Sequence, residues 1–479
     1  MSTINPSGCC NFSHPVSRRD ALRQFGVGFG GLALAGLLGQ PARAEGDALP
    51  ANPLAPKKPM LPAKAKRIIF LFMHGGPSAV DTFDYKPALA DHDGQSAPRQ
   101  PKLTFAAANG REGSKLWKSP WKFTPRGKSG HMVSELFPHL GAQVDEMCFL
   151  HSCHGTAPDH GAAVLKMNTG TEAFVRPSMG SWLLYGLGTE NQNLPGFITI
   201  TPSDTHGGVR NYGSAFLPAV YQGTALGSEH AKARDAKFRF LGKSNDAAQR
   251  RELDFLRELN QRSAASERDS ELEARINSYE LAFKMQMAAP EVLDISRESK
   301  ATQELYGMND PKTAEFGTKC LLARRFAEAG VRFIQVSTGL VWDQHGDLVK
   351  KHTENAFASD KPAAGLLQDL KQRGMLDDTL VIWGGEFGRT PTREGGNGRD
   401  HNPHGYTMWL AGGGVKPGRV GATDELGYFA VENKIHVNDL HATLLALMGL
   451  DHEKLTYRYA GRDFRLTDVA GRVVREVFA

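Results

Sequence analysis

Cysteine is scarce in this chain of 479 residues. There are five, and Cys9 and Cys10 fall in a segment that reads as a leader. The three that remain, Cys148, Cys153 and Cys320, supply neither a disulfide framework nor a cysteine-based zinc site. Charge of one sign is also in short supply. The formal net charge is +5, and part of that excess lies near the N-terminus, so no nucleic-acid partner follows from it. Long hydrophobic runs are missing too: the apolar stretch from Val27 to Leu38 is too short to span a bilayer comfortably. There is no internal repeat. What remains is an ordinary globular composition, 40% hydrophobic and 23% charged, with ample length for a large core.

The first 44 residues carry the pair Arg18–Arg19, a Gly-rich apolar run and the small-x-small end Ala42-Arg43-Ala44. This pattern is that of a twin-arginine export signal cleaved after Ala44. It implies the twin-arginine machinery as a partner, a periplasmic or secreted mature chain without a membrane span, and export in the folded state. Residues 45–65 are rich in Pro and Ala and read as an extended linker or arm. Continuous apolar runs follow at Arg67–Met73, 147–152, 331–339, 379–387 and 407–414, several ending in Gly-rich turns. Such runs suit strands buried on both faces. Amphipathic helical stretches precede the third and fourth runs, and a further helix, VNDLHATLLALMGL, lies near the end. Strands alternating with helices predict an α/β fold: a doubly wound, mostly parallel sheet with helices on both faces, over 66–479. Residues 244–290 are charged and helix-prone and read as a helical insertion without chemistry.

In such sheets ligands gather at the carboxyl ends of the strands. His74 follows the first run. His151, His154, Asp159 and His160 follow the second, and Asp343 and His345 the third. Glu386 ends the fourth, and Asp400, His401 and His404 lie in the loop feeding the fifth. Carboxylate plus imidazole suits a divalent ion. The candidate ligands are therefore His74, Asp343, His345, Glu386, Asp400 and His401, with Asp400 either a ligand or a group that orients one. The ion is Zn, Mn, Ca or Mg. Arg389 and Arg399 are candidates to grip a phosphate or sulfate. Asp81 and Asp84 are candidate helix caps, Asp159 a cap of the helix read in GAAVLKMNTG, and His436, Asp439 and His441 cap or pack the last helix. His206 and Lys416 have no assigned place.

The stretches HGGPSAVDTFDYKP, WDQHGD, VIWGGEFGRTP, GRDHNPHGYTMWLAGGGVKPG and LTYRYAGRDFRLTDV resemble the secreted DUF1501 proteins of the alkaline phosphatase/sulfatase superfamily. The resemblance runs from about Lys66 to the end. It implies a divalent-metal hydrolase fold. By position, His74 replaces that superfamily's first aspartate, Asp343 and His345 match its Asp/His pair, Glu386 its next aspartate and His401 its last histidine. Phe387 stands where a second histidine normally follows. LKMNTG is similar to the segment behind the superfamily's nucleophile and puts His160 in the nucleophile's place. No Cys-x-Pro-x-Arg motif is present, which excludes a formylglycine mechanism.

Two readings follow. The first is a periplasmic metal-dependent hydrolase of phosphate or sulfate esters, acting on a small molecule or glycan. His160 would be its base or nucleophile, Ser152 and Thr156 its fallback nucleophiles, and Arg389 a second catalytic group. The second is a non-catalytic, metal-containing protein that binds sulfated or phosphorylated glycans.

Overall fold

The computed structural model describes residues 52–98, 114–238, 246–263 and 270–479. The expected export signal and the start of the expected linker lie outside the described residues. Two units are distinguished. One, Leu49–Tyr457 with Asp463–Ala479, carries everything that follows. Of the other, Met1–Ala48 with Arg458–Arg462, only the short C-terminal piece is described.

Nine strands form the central sheet: β1 (Arg67–Phe72), β2 (Met147–His154), β3 (Phe197–Ile200), β4 (Thr224–Leu226), β5 (Phe333–Ser337), β6 (Thr379–Gly384), β7 (Tyr406–Ala411), β8 (Gly418–Val420) and β9 (Ile435–His436). Their order is β8-β2-β7-β6-β1-β5-β3-β4, with β9 also paired to β2. All neighbours run parallel except β7, which is antiparallel to both β2 and β6. The fold is therefore a doubly wound, mostly parallel α/β sheet, as the alternation of elements implied. The run at 407–414 is the exception to parallel order. That reversal matters, because an antiparallel strand begins at the edge where the parallel strands end. The loop 385–405 thus arrives beside the other strand-end loops.

Strand β1 sits in the middle, and its residues alternate between the two halves of the core. Ile68, Phe70 and Phe72 pack in one cluster, with α1 (His160–Thr169), α2 (Met179–Leu187) and the last helix. Ile69, Leu71 and Met73 pack in the other. The insertion contributes α3 (Asp246–Ser263) and α4 (Ser270–Leu293), joined by Arg250 donating to both oxygens of Glu280 at 2.9 and 2.6 Å. Helices α5 (Ala314–Glu328) and α6 (Leu348–Gln372) cover the second face, and α7 (Val437–Leu447) the first. Burial on both faces is why the strands read as continuous apolar runs rather than alternating ones. Residues 52–65 hold no helix or strand. Lys57, Leu61 and Lys64 donate backbone bonds to Leu187, Gly449 and Leu447.

Candidate metal centre

Three histidine nitrogens converge on one carboxylate oxygen. Asp343 Oδ1 lies 3.1 Å from His160 Nε2, 3.1 Å from His345 Nε2 and 3.3 Å from His401 Nε2. The two nitrogens of His345 and His401 are 2.9 Å apart. Local structure delivers each group. His160 is the first residue of α1, capped by Asp159, whose Oδ1 accepts Ala162 N–H at 3.0 Å. Asp343 and His345 sit on the turn between β5 and α6. His401 is held by a two-residue ladder against Arg389, just before β7. Gly75 lets the turn after β1 approach the same place. Its φ is +112°, and a Cβ there would stand 2.6 Å from Asp343 N.

Each of these histidines has its other nitrogen committed. His160 Nδ1 is 2.6 Å from Glu386 Oε1, His345 Nδ1 is 2.5 Å from Glu394 Oε2, and His401 Nδ1 is 2.7 Å from the Pro158 carbonyl. All three partners are acceptors, so in each neutral ring the proton sits on Nδ1 and the lone pair on Nε2. The lone pairs of His345 and His401 then face each other at 2.9 Å, which is repulsive unless a cation or a proton lies between them. His160 Nε2 is buried, with Asp343 Oδ1 at 3.1 Å as its polar neighbour. Separations of 2.9–3.3 Å fit neighbouring ligands on an ion about 2.1 Å from each. The donor set therefore fits a divalent ion.

Charge points the same way. Asp343, Glu386, Glu394 and Asp400 belong to the interlocking groups around this point, against one guanidinium, Arg389, 2.6 Å from Asp343. Burial pushes the Asp343 carboxyl up, but the contacts from His160, His345 and His401, then Arg389, hold it far below the ordinary range. Burial pushes His160 down, and the carboxylates of Asp343 and Glu386 outweigh that and raise it to about 9. His345 is raised by Asp343, against burial. His401 is lowered by burial.

A second set adjoins the first. Glu386 Oε1 accepts Gly75 N–H at 3.0 Å and lies 4.0 Å from His74 Nε2. His74 Nε2 meets His206 Nδ1 at 3.0 Å. His206 has a positive φ of 49°, and its ring stacks on that of His160 at 5.1 Å. Burial lowers both His74 and His206.

The structure thus brings all the expected ligands into one region, in two ranks. Asp343, His345 and His401 meet at one point, and His160 joins them there. Glu386 and His74 lie one step away, behind His160. Asp400 accepts His401 N–H at 2.7 Å and stands 4.0 Å from His345 Nδ1. The expectation that Arg389 and Arg399 face a substrate is overturned by burial. Arg389 is fully enclosed and donates to the carbonyls of Gly75, Gly76, Trp342 and Arg399. Arg399, also enclosed, makes a two-pronged pair with Asp81 at 2.7 and 3.0 Å. Asp81 is thus a guanidinium partner, while Asp84 binds Lys86 and Thr423 rather than capping a helix. Ser152 donates to the Asn433 carbonyl and Thr156 to Glu172, so each of those hydroxyls is engaged elsewhere. His436 and Asp439 form a capping box on α7, and His441 packs against the Met167 carbonyl. Glu394 is the residue that sequence reasoning passed over, and His206 one that it left without a place. The signal for Glu394 was its place in the same Gly-rich loop as His401.

The family model described as a protein of unknown function, DUF1501, matches residues 65–478. No curated protein matches. Among solved structures the chain is similar to the lipoteichoic acid synthase LtaP from Listeria monocytogenes. That match has 12% identity and a TM-score of 0.36, over 91% of this chain and 80% of that one. It is also similar to the sulfatase PsFucS1 from Pseudoalteromonas sp., at 12% identity and a TM-score of 0.34, over 81% and 68% of the two chains. A third likeness is to alkaline phosphatase from the Antarctic bacterium TAB5, at 11% identity and a TM-score of 0.32, over 82% and 99%. At such TM-scores none of these likenesses bears on what the chain does.

Proposed function

We propose, from the premise that this chain belongs to the DUF1501 family, that it is a metal-dependent hydrolase of phosphate or sulfate esters that works outside the cytoplasm. The observation that carries the reading is the meeting of three Nε2 nitrogens on one carboxylate oxygen at 3.1–3.3 Å, two of those nitrogens 2.9 Å apart. His160, Asp343, His345 and His401 hold the ion. Three imidazoles favour Zn or Mn over Ca or Mg, which prefer oxygen. A divalent ion held there supplies Lewis acidity toward an ester oxygen and toward water.

The chain's own groups do the rest. Glu386 and the Pro158 carbonyl orient His160 and His401. Arg389 ties the Gly75–Gly76 turn to Asp343 and keeps that carboxylate ionised. His160 is thereby a ligand, with both nitrogens engaged, rather than the base or nucleophile. His206 is the half-buried imidazole left to take a proton. Its Nδ1 is bound to His74, and its lowered affinity leaves it neutral near pH 7. With the hydroxyls of Ser152 and Thr156 engaged elsewhere, direct attack by water is the mechanism these residues support.

The test is a panel of aryl phosphate, aryl phosphodiester and aryl sulfate esters, offered to mature protein loaded with Zn or Mn. Turnover of one class, lost on chelation, supports the proposal. Full metal loading without turnover on any class rejects it in favour of a non-catalytic, metal-containing binder of sulfated or phosphorylated glycans. Among the described residues no helix is long and apolar enough to cross a membrane. That is compatible with a mature chain released to the periplasm or secreted after twin-arginine export.

A further inference from the structure

We infer that Glu394 is a positioning residue that sets the ion affinity of the centre without touching the ion. The inference rests on the metal reading above. His345 is the most exposed of the converging imidazoles, with 40% of its side chain accessible. An exposed imidazole rotates and exchanges tautomers unless something holds it. Glu394 Oε2 lies 2.5 Å from its Nδ1. An ionised carboxylate is acceptor-only, so that contact places the proton on Nδ1 and the lone pair on Nε2, aimed at Asp343 and His401.

A surface pair of this kind contributes little to folding, and the surrounding loop shows that it is built for another purpose. The tip closes on itself through Glu394 N–H to the Gly398 carbonyl at 2.8 Å and Gly398 N–H to the Glu394 carbonyl at 2.9 Å. A Cβ on Gly398 would stand 1.9 Å from the His345 carbonyl oxygen, so the loop lies directly on the residue that it orients. Leu348 N–H reaches the Asn397 carbonyl at 3.0 Å, and Arg399 N–H the Gln344 carbonyl at 3.1 Å. The Arg399–Asp81 pair and Arg393 over the Trp117 ring at 4.5 Å fasten the same loop. Glu394 is therefore presented by anchored backbone. A competing arrangement, with an ion on His345 Nδ1, Glu394 and Asp400, would need the Glu394 carboxylate as a ligand.

The experiment titrates Zn²⁺ against a chromophoric chelator with wild-type protein, Glu394→Ala and Glu394→Gln, and records the melting temperature of each with excess chelator. The Gln side chain keeps an acceptor oxygen for Nδ1–H but is a poor ligand. Glu394→Ala should raise the Zn²⁺ dissociation constant roughly 10–100-fold and leave the chelated melting temperature unchanged. Glu394→Gln should restore most of the affinity. Wild-type affinity in Glu394→Ala overturns the inference while leaving the centre standing. Equal weakness in Ala and Gln variants overturns it in favour of Glu394 as a ligand. Absence of Zn²⁺ binding by the wild type removes the metal reading itself.

Discussion

Replacing Asp343 by Asn keeps the shape of the side chain and removes its charge. In the folded protein that charge lies 2.6 Å from the enclosed Arg389 guanidinium and faces three imidazole nitrogens. Leaving a buried charge without its partner costs about 3–5 kcal/mol. A quarter of the Asp343 side chain is accessible, so we take the lower end, about 3 kcal/mol. An unfolding entropy of about 2.1 cal/mol/K per residue, over roughly 400 residues, converts this to a fall in Tm of about 4 °C. That fall is expected with excess chelator. With Zn²⁺ at about 100 times its Kd the wild type gains a further ~2.7 kcal/mol, or about 3 °C, which the variant does not gain. The assay is differential scanning calorimetry of both proteins with and without chelator, alongside metal analysis. A variant that keeps its ion, or that melts with the wild type in chelator, would refute the roles given to Asp343 and Arg389.

His345→Ala and His401→Ala should each lower ion content and the chelator-sensitive part of Tm. The double variant should lose less than the sum, since both act through one ion; strictly additive losses would assign them separate tasks. His352 accepts Ser78 N–H at 3.1 Å, and burial pushes it down to about 3 from an ordinary 6.5. The unfolded chain therefore takes up a proton that the folded chain refuses, and stability drops as pH falls from about 6.5 towards 3. His352→Gln should flatten that acid limb in urea titrations, and an unaltered limb would show that other groups control it. Replacing Arg18 and Arg19 together by Lys should retain the precursor in the cytoplasm on cell fractionation; a normal periplasmic yield would count against twin-arginine export.

The sheet was legible where strands are long and buried on both faces, as at Arg67–Phe72 and Thr379–Gly384. Phe197–Ile200 and Thr224–Leu226 escaped because strands of four or three residues are not distinguishable from a packed loop. The gathering of ligands was legible too. Strand-end position places His74, Asp343, His345, Glu386 and His401 on one edge of the sheet whatever the loops do. Roles within the gathering were not. His160 reads as a nucleophile by position, and the proposal that it is instead a ligand rests on its contacts to Glu386 and Asp343. Arg389 reads as a substrate-gripping arginine, because its burial depends on carbonyls more than 300 residues earlier in the chain, at Gly75 and Gly76. Glu394, in a loop of Gly and Arg, has the composition of solvated chain. Its meaning comes from Gly398 lying on His345.

The most direct test of the metal centre is elemental analysis of the mature protein, purified without chelator and without a metal-binding tag. Four convergent donors predict about one transition-metal ion per chain, retained through gel filtration. The ion should be lost from a variant combining His160→Ala with His401→Ala. Protein that carries no ion, takes up none from Zn²⁺ or Mn²⁺ and melts identically with and without chelator would mean that protons alone join these histidines to Asp343, and the proposed chemistry would fall with the ion.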